Sequence, residues 1–230
     1  MAQTMKRIRQ YPGTDAEKRK KYMDAATEIV RSNLPEFTEF FESSNSEGGF
    51  YLPTENVEWT TGFWTGVIWL AYEYTGEACF KAGGGISGRK LPETNPGEID
   101  VNHHDMGFLY SLSCVAAYKL TGSSHAREAA LLAADHLAGR YRENGRFIQA
   151  WGNVNEPSEY RLIIDCLLNL PLLYWASEVT GNPDYADKAE NHIRTAMKCV
   201  MRPDCSTYHT YFYQYRDRRT GPRRYPSGKP

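Results

Sequence analysis

The sequence predicts an all-α protein of helical hairpins in two concentric layers, an α/α toroid rather than an open solenoid. Three observations carry that prediction. Three apolar runs end on the same dipeptide, at Thr75-Gly76, Thr121-Gly122 and Thr180-Gly181. A glycine just past a helix end is the usual left-handed cap, so each pair marks a C-terminus. Behind the second and third stops comes a more polar amphipathic helix, predicted over about Ser124–Tyr141 and Asp184–Met201. The unit of apolar inner helix, turn and outer helix then recurs at about 40–60 residues, within the range of helical arrays once loops are inserted. Finally, no alternating strand pattern of useful length is evident.

Taken in order, residues 1–14 are polar, broken by Pro12-Gly13, and read as a flexible lead-in. Asp15 is placed to cap a helix running to about Asn33, with Tyr22, Ala25, Ala26, Ile29 and Val30 on one face. Residues 35–60, with two prolines and Gly48-Gly49, read as a long loop. Thr61–Gly76 is apolar nearly all round, as in a helix buried on several sides. The outer helix that should follow is interrupted by Gly83-Gly84-Gly85, Pro92 and Pro96. At about 1 kcal/mol per helical Gly and about 3 per Pro, a continuous helix is not expected across Gly83–Pro96. The partial toroid thus spans 15–213, and the Gly- and Pro-rich basic stretch 214–230 has the composition of a disordered tail.

Bulk properties exclude several classes. With 27 basic and 28 acidic residues the net charge is −1, so no global field draws nucleic acid or an anionic membrane. No apolar run is long enough to span a bilayer and none follows the basic N-terminus as a signal core. The five cysteines form no C-x-x-C pair, which argues against zinc or a disulfide framework and for a reduced, cytoplasmic protein.

Candidate chemistry gathers at the starts of the inner helices. Asp165 is the one carboxylate in RLIIDCLLNLPLLYW (161–175), an otherwise apolar run that reads as helix. Such a group is either paired, with Arg161 one turn back for instance, or held with a raised proton affinity as a general acid requires. Asp105 stands at a helix start, where free N–H groups favour the ionised form; an ordinary N-cap is the plain alternative. Two carboxyls in contrasting environments are the acid and base signature of glycoside-processing enzymes. His103-His104-Asp105 invites a metal reading, discounted because adjacent residues do not share a helix face and no further carboxylate lies nearby in sequence. Trp64, Trp69 and Trp175 fall in apolar helices and belong to the core. Trp59 and Trp151 sit in polar loops, where an indole can stack on a sugar ring. His209, in STYHTYFY, is a structural or pocket-wall residue.

NVEWTTGFWTGVIWLAYEYTG, NHHDMGFLYSLS, RFIQAWGN, RLIIDCLLNLPLLYWA and STYHTYFY, in that order, together resemble the unsaturated glucuronyl hydrolases, family 88 of the glycoside hydrolases. The resemblance implies an (α/α)6 toroid with no metal or other cofactor. It also implies a substrate left by polysaccharide lyases, an oligosaccharide bearing a C4=C5 unsaturated uronic acid at its non-reducing end. By motif, Asp165 would donate a proton and then activate water, Asp105 would position the substrate, and Trp59, His104, Trp151 and His209 would line the pocket. The match leaves out the second half of the family's barrel, so an incomplete toroid, roughly the N-terminal half, is expected. The related hydrolases of unsaturated rhamnogalacturonan fragments and a non-catalytic helical-repeat module are the competing readings.

Overall fold

A computed structural model describes residues 15–93, 102–213 and 224–225. The predicted lead-in lies outside them, as does the predicted tail apart from Arg224 and Tyr225. The described helices are α1 (Ala16–Phe37), α2 (Thr61–Thr75), α3 (Ala78–Glu93), α4 (Met106–Tyr110), α5 (Ala116–Thr121), α6 (Ser124–Gly139), α7 (Leu170–Thr180) and α8 (Pro183–Val200). A π-helical stretch, Ser111–Val115, joins α4 and α5. The antiparallel hairpin β1 (Phe41–Glu47) and β2 (Phe50–Thr54) follows α1. Short strands β3 (Tyr141–Arg142) and β4 (Phe147–Ile148) pair, and β5 (Arg161–Ile163), β6 (Thr210–Phe212) and β7 (Arg224–Tyr225) form a second small sheet.

The three Thr-Gly stops close their helices in one way. Gly76, Gly122 and Gly181 take φ of 72°, 73° and 73°. Their N–H groups donate to the carbonyls of Tyr72, Tyr118 and Ser177 at 2.7, 2.8 and 2.9 Å. Each preceding threonine hydroxyl donates to the carbonyl four residues back, at Ala71, Ala117 and Ala176. The glycine N–H thus satisfies one of the terminal carbonyls and the threonine hydroxyl adds a second bond to the carbonyl before it, as the chain turns into its outer helix. Outer helix α6 meets the inner layer through Ala126, Ala129, Ala130, Ala133 and Ala134, all buried, small enough to bring the layers together around Leu170, Leu173 and Trp175.

Four expectations are corrected. Helix α3 does run through the glycines. A Cβ at Gly84 would stand 2.8 Å from the Trp69 indole and one at Gly83 3.0 Å from Leu34. Lacking a side chain, α3 lies directly on Trp69, which is buried, and covering that ring outweighs a propensity cost of about 1 kcal/mol per glycine. Within 35–60 the chain forms the β1–β2 hairpin rather than only a loop. Gly48 and Gly49, at φ 59° and 87°, supply the two left-handed residues of a tight hairpin turn. Helix α1 continues past Asn33 and Pro35, and its last carbonyl is satisfied by the indole N–H of Trp64, donating to Phe37 O at 2.8 Å. Finally, 161–175 is not one helix: β5 is followed by a 3-10 turn, Ile164–Leu168, before α7 begins. Pro171 fits only the first turn of α7, and Leu162 and Ile163 pair with β6 instead.

Apolar surface remains open on the arc. Phe63, Val67, Leu70 and Tyr74 form an exposed stripe along α2, and Tyr22 and Ile29 are exposed on α1. Between α1, the hairpin and α2 lies a groove of about 910 Å³ that also holds Glu42. Glu42 Oε2 is buried without a hydrogen bond among the described residues, and burial pushes this carboxyl up to about 7. Because the folded value is raised above the ordinary 4.5, the cost of ionisation is absent at low pH, grows through this window and is complete above about 7. Glu42→Gln is therefore expected to stabilise the chain by about 1–2 kcal/mol at pH 8, after allowance for solvent. In a melting series the gain should vanish at pH 4; a constant gain across pH would contradict this origin.

Candidate active site

A chain of backbone bonds builds the floor of the site. His104 N–H donates to Ala150 O at 2.7 Å, Ala150 N–H to Arg161 O at 3.0 Å, and Ile164 N–H to His209 O at 3.0 Å. His103 and Trp151 face each other as a bridge pair, and β5 runs against β6. Residues far apart in sequence are thus set side by side just where α4 and the 3-10 turn begin. Buried Arg140 clamps this floor: its guanidinium donates to Gln149 O at 2.8 Å, Asn102 Oδ1 at 2.7 Å and Gly152 O at 3.2 Å. Its position at the end of an outer helix gave no sequence signal for this role.

Two glycines draw the inner helices together. A Cβ on Gly62 would lie 2.4 Å from Leu109 O, and one on Gly107 would lie 2.3 Å from Asn169 Cα. Phe108 N–H donates to Asn169 Oδ1 at 2.8 Å across the same contact. The N-terminal ends of α2, α4 and α7 therefore meet backbone to backbone, and the residues just before them share one cavity.

That cavity, about 340 Å³, is lined by Trp59, His104, Asp105, Trp151 and Asp165, with Val57 and His103 completing the wall. His104 is buried, and its Nε2 lies 3.4 Å from Asp105 Oδ1 and 3.4 Å from Asp165 Oδ1. Burial pulls the His104 imidazole down to about 4, against the opposing pull of Asp105, so the ring is neutral at physiological pH. Its Nε2 thus stands between two carboxyls. The Asp165 carboxyl is raised above the ordinary value of 3.8, first by burial and then by the charge of Asp105, while His209 works in the other direction. Its Oδ1 is buried without a hydrogen bond among the described residues.

The plain alternatives for both acids do not describe this geometry. Arg161 does not pair with Asp165: its Nε donates to Glu159 O, and its guanidinium lies 5.3 Å over Trp151 and 5.5 Å over Phe212. The Asp105 side chain makes no cap bond to α4; its N–H and Oδ2 both lie 3.0 Å from His103 Nδ1. Trp59 and Trp151 are 47% and 43% exposed, whereas Trp64, Trp69 and Trp175 are buried as the sequence predicts. Trp59 is braced edge-on by Phe63 and Phe108. His209 is exposed at the margin, outside the cavity lining, with Nδ1 2.8 Å from Thr210 Oγ1. Val57 and His103 are lining residues that the sequence did not single out for binding.

The sequence argument against a metal assumed that no further carboxylate stands near His103-His104-Asp105. Folding supplies one, since ligand atoms of His104, Asp105 and Asp165 lie within 4.8 Å of one another. A divalent cation held there would keep both carboxylates ionised.

Residues 29–222 match the family model Glycosyl Hydrolase Family 88. The chain is 44% identical over 191 residues to an unsaturated chondroitin disaccharide hydrolase of Streptococcus pyogenes serotype M1, covering 83% of this chain and 48% of that protein. The crystal structure of an unsaturated glucuronyl hydrolase from Streptococcus agalactiae superposes with a TM-score of 0.78 at 40% identity, over 84% of this chain and 49% of that one. A substituted form of that enzyme, complexed with dGlcA-GalNAc6S, superposes at 0.69 with 33% identity, over 87% and 48%. The chain spans about half the length of the curated relatives it matches. Its helical hairpins are part of the (α/α)6 toroid, and the chain belongs to glycosyl hydrolase family 88.

Proposed function

We propose that this chain provides the acid, its companion carboxylate and one wall of a site that hydrates the C4=C5 bond of an unsaturated glucuronic acid, releasing it from the non-reducing end of a lyase-generated oligosaccharide. The observation that carries this reading is the placement of one neutral imidazole between two carboxyls, with Asp165 held toward its protonated form. Protonated Asp165 donates to C4, and positive charge develops at C5, shared with the ring oxygen. Asp165, now a carboxylate, takes a proton from the water that adds at C5. The resulting hemiketal collapses and frees the neighbouring sugar. Asp105 positions the substrate and stabilises the developing charge. Trp59 and Trp151 offer indole faces to sugar rings, His104 orients both carboxyls and His209 borders the open rim. The direct displacement geometry of retaining and inverting glycosidases does not apply, because the anomeric carbon is not attacked.

The glucuronyl reading rests on the NHHDMGF and RLIIDCLLNLPLLYWA runs and on the relatives' acceptance of chondroitin-type disaccharides. No cofactor is required, and the free cysteines fit a reducing cytoplasm. The test follows the ultraviolet absorbance of the C4=C5 bond with purified chain, comparing unsaturated disaccharides from glycosaminoglycan and pectin, each with and without EDTA. Decay on the glycosaminoglycan product, unaffected by EDTA, is expected. Preference for the pectin product would select the rhamnogalacturonyl reading, and EDTA-sensitive decay would select a metal at His104, Asp105 and Asp165. A folded chain that binds the disaccharide without consuming it would refute turnover by this chain.

A further inference from the structure

Arg161 opens β5, and its guanidinium has no carboxylate partner among the described residues. Two acids are close in sequence, yet Glu159 Oε2 accepts the Asn153 N–H at 2.6 Å and Asp165 lies beside His104. Neutral groups fix the side chain instead. Its Nε donates to Glu159 O at 3.0 Å, and the guanidinium carbon lies 5.3 Å from the centroid of the Trp151 ring and 5.5 Å from that of Phe212, its cross-strand partner on β6. Both distances fall inside the roughly 6 Å within which a cation is attracted to a ring face. Trp59 is braced by two aromatic rings, whereas Trp151 has none against it among the described residues, and the guanidinium covers one of its faces. Trp151 lines the cavity and Arg161 does not, so the cation stands behind the indole as seen from the site.

We propose that Arg161 is a specificity-determining residue: held between Trp151 and Phe212, it supplies the positive charge that lets the Trp151 wall accept an anionic sugar in preference to a neutral one. The inference rests on the function proposed above, from which it takes the anionic substrate and the stacking role of Trp151. That substrate brings its own carboxylate into a cavity whose lining includes Asp105 and Asp165 and, among the described residues, no lysine or arginine. The wall adds to the difficulty, because the face of an aromatic ring is the negative side of its quadrupole. A cation behind the ring removes it: the field of a full charge falls off more slowly with distance than that of a quadrupole, so beyond the indole the charge prevails. Arg161 is half-buried, which leaves its charge less screened than one in open water. Its planar head also suits this place, since a guanidinium stacks on rings where an ammonium does not. Arg140 is the other cation by the floor, but its guanidinium is turned to Gln149 O, Asn102 Oδ1 and Gly152 O.

The test measures affinity rather than turnover, in the Asp165→Asn chain, by titrating tryptophan fluorescence with an unsulfated, unsaturated chondroitin-type disaccharide and with its uncharged uronate methyl ester. Arg161→Met keeps the length and apolar stem of the side chain without its charge. It is expected to weaken binding of the acid by about 5-fold, as for a unit charge about 9 Å away at a partly screened site, and of the ester by less than about 2-fold. Arg161→Lys, which keeps the charge, should recover most of the acid's affinity. Salt gives a second measurement that needs no change at Arg161: the acid should bind more weakly as sodium chloride is raised. Affinity that is constant or rises with salt would show that the cavity acids prevail and would overturn the proposal. Equal losses for acid and ester in Arg161→Met would make Arg161 a brace for the indole rather than a selector of charge. A folded Arg161→Met chain that binds the acid as tightly as its parent would assign the attraction to Arg140. Either result rejects the proposal and leaves the proposed function standing, whereas a parent chain that binds neither compound would overturn both.

Discussion

Asp165→Asn is expected to stop the loss of C4=C5 absorbance, lowering turnover by about 10²–10⁴-fold, the usual contribution of a positioned general acid. The amide keeps the shape of the carboxyl but has no acidic proton, so disaccharide binding, followed by tryptophan fluorescence at Trp59 and Trp151, should persist. A non-catalytic module would show equal binding and no turnover to lose. The same substitution should act on stability in the opposite sense. Asp165 is raised in the folded chain, so folding is penalised as pH climbs through and above its unfolded value of 3.8, and the penalty is complete above the folded value. Asparagine removes that penalty, so the variant should melt higher at pH 7 and lose its advantage as pH falls toward 4. With the side chain 38% exposed, solvent screening keeps the gain to no more than a few degrees. A variant that melts lower at pH 7 would show that Asp165 is a structural partner rather than a strained acid.

Gly107→Ala is expected to cost about 3 kcal/mol, lowering the melting temperature by about 6–12 °C. The added methyl would lie 2.3 Å from Asn169 Cα and 2.6 Å from Asn169 O. Those are backbone atoms, so α4 and α7 must part, and the bond from Phe108 N–H to Asn169 Oδ1 must stretch. The same displacement separates Asp105 from Asp165, so turnover should fall further than the folded fraction does. Gly85→Ala provides the contrast: its methyl meets nothing within 4 Å on α3, and alanine is the better helix former. It should be neutral or stabilising by up to about 1 kcal/mol. Equal losses in the two variants would show that the effect at Gly107 reflects helix propensity rather than the close approach of the inner helices.

Much of the fold is legible because it is encoded locally. The Thr-Gly stops require only a left-handed glycine and a hydroxyl within reach of the preceding turn, and all three close as the sequence implies. The polarity difference between inner and outer helices likewise needs only each segment's own residues. The errors fall where a distant partner overrides local preference. Trp69 makes a helix of the glycines in α3, and β6 makes a strand of what is otherwise apolar helix before Asp165.

By itself the sequence determined the hairpin repeat, the core tryptophans and the identity of the polar residues at the inner-helix starts, since each depends on periodicity or on residue type. Only the tertiary structure decided that Asp105 and Asp165 share one imidazole, that Arg161 stacks on Trp151 instead of pairing with Asp165, and that buried His192 accepts the Ile148 N–H. Those relations depend on how closely backbones approach at Gly62 and Gly107 and on bonds between strands far apart in the chain. Proton affinity at such a site is set by burial and neighbouring charge, which exist only once the chain has folded.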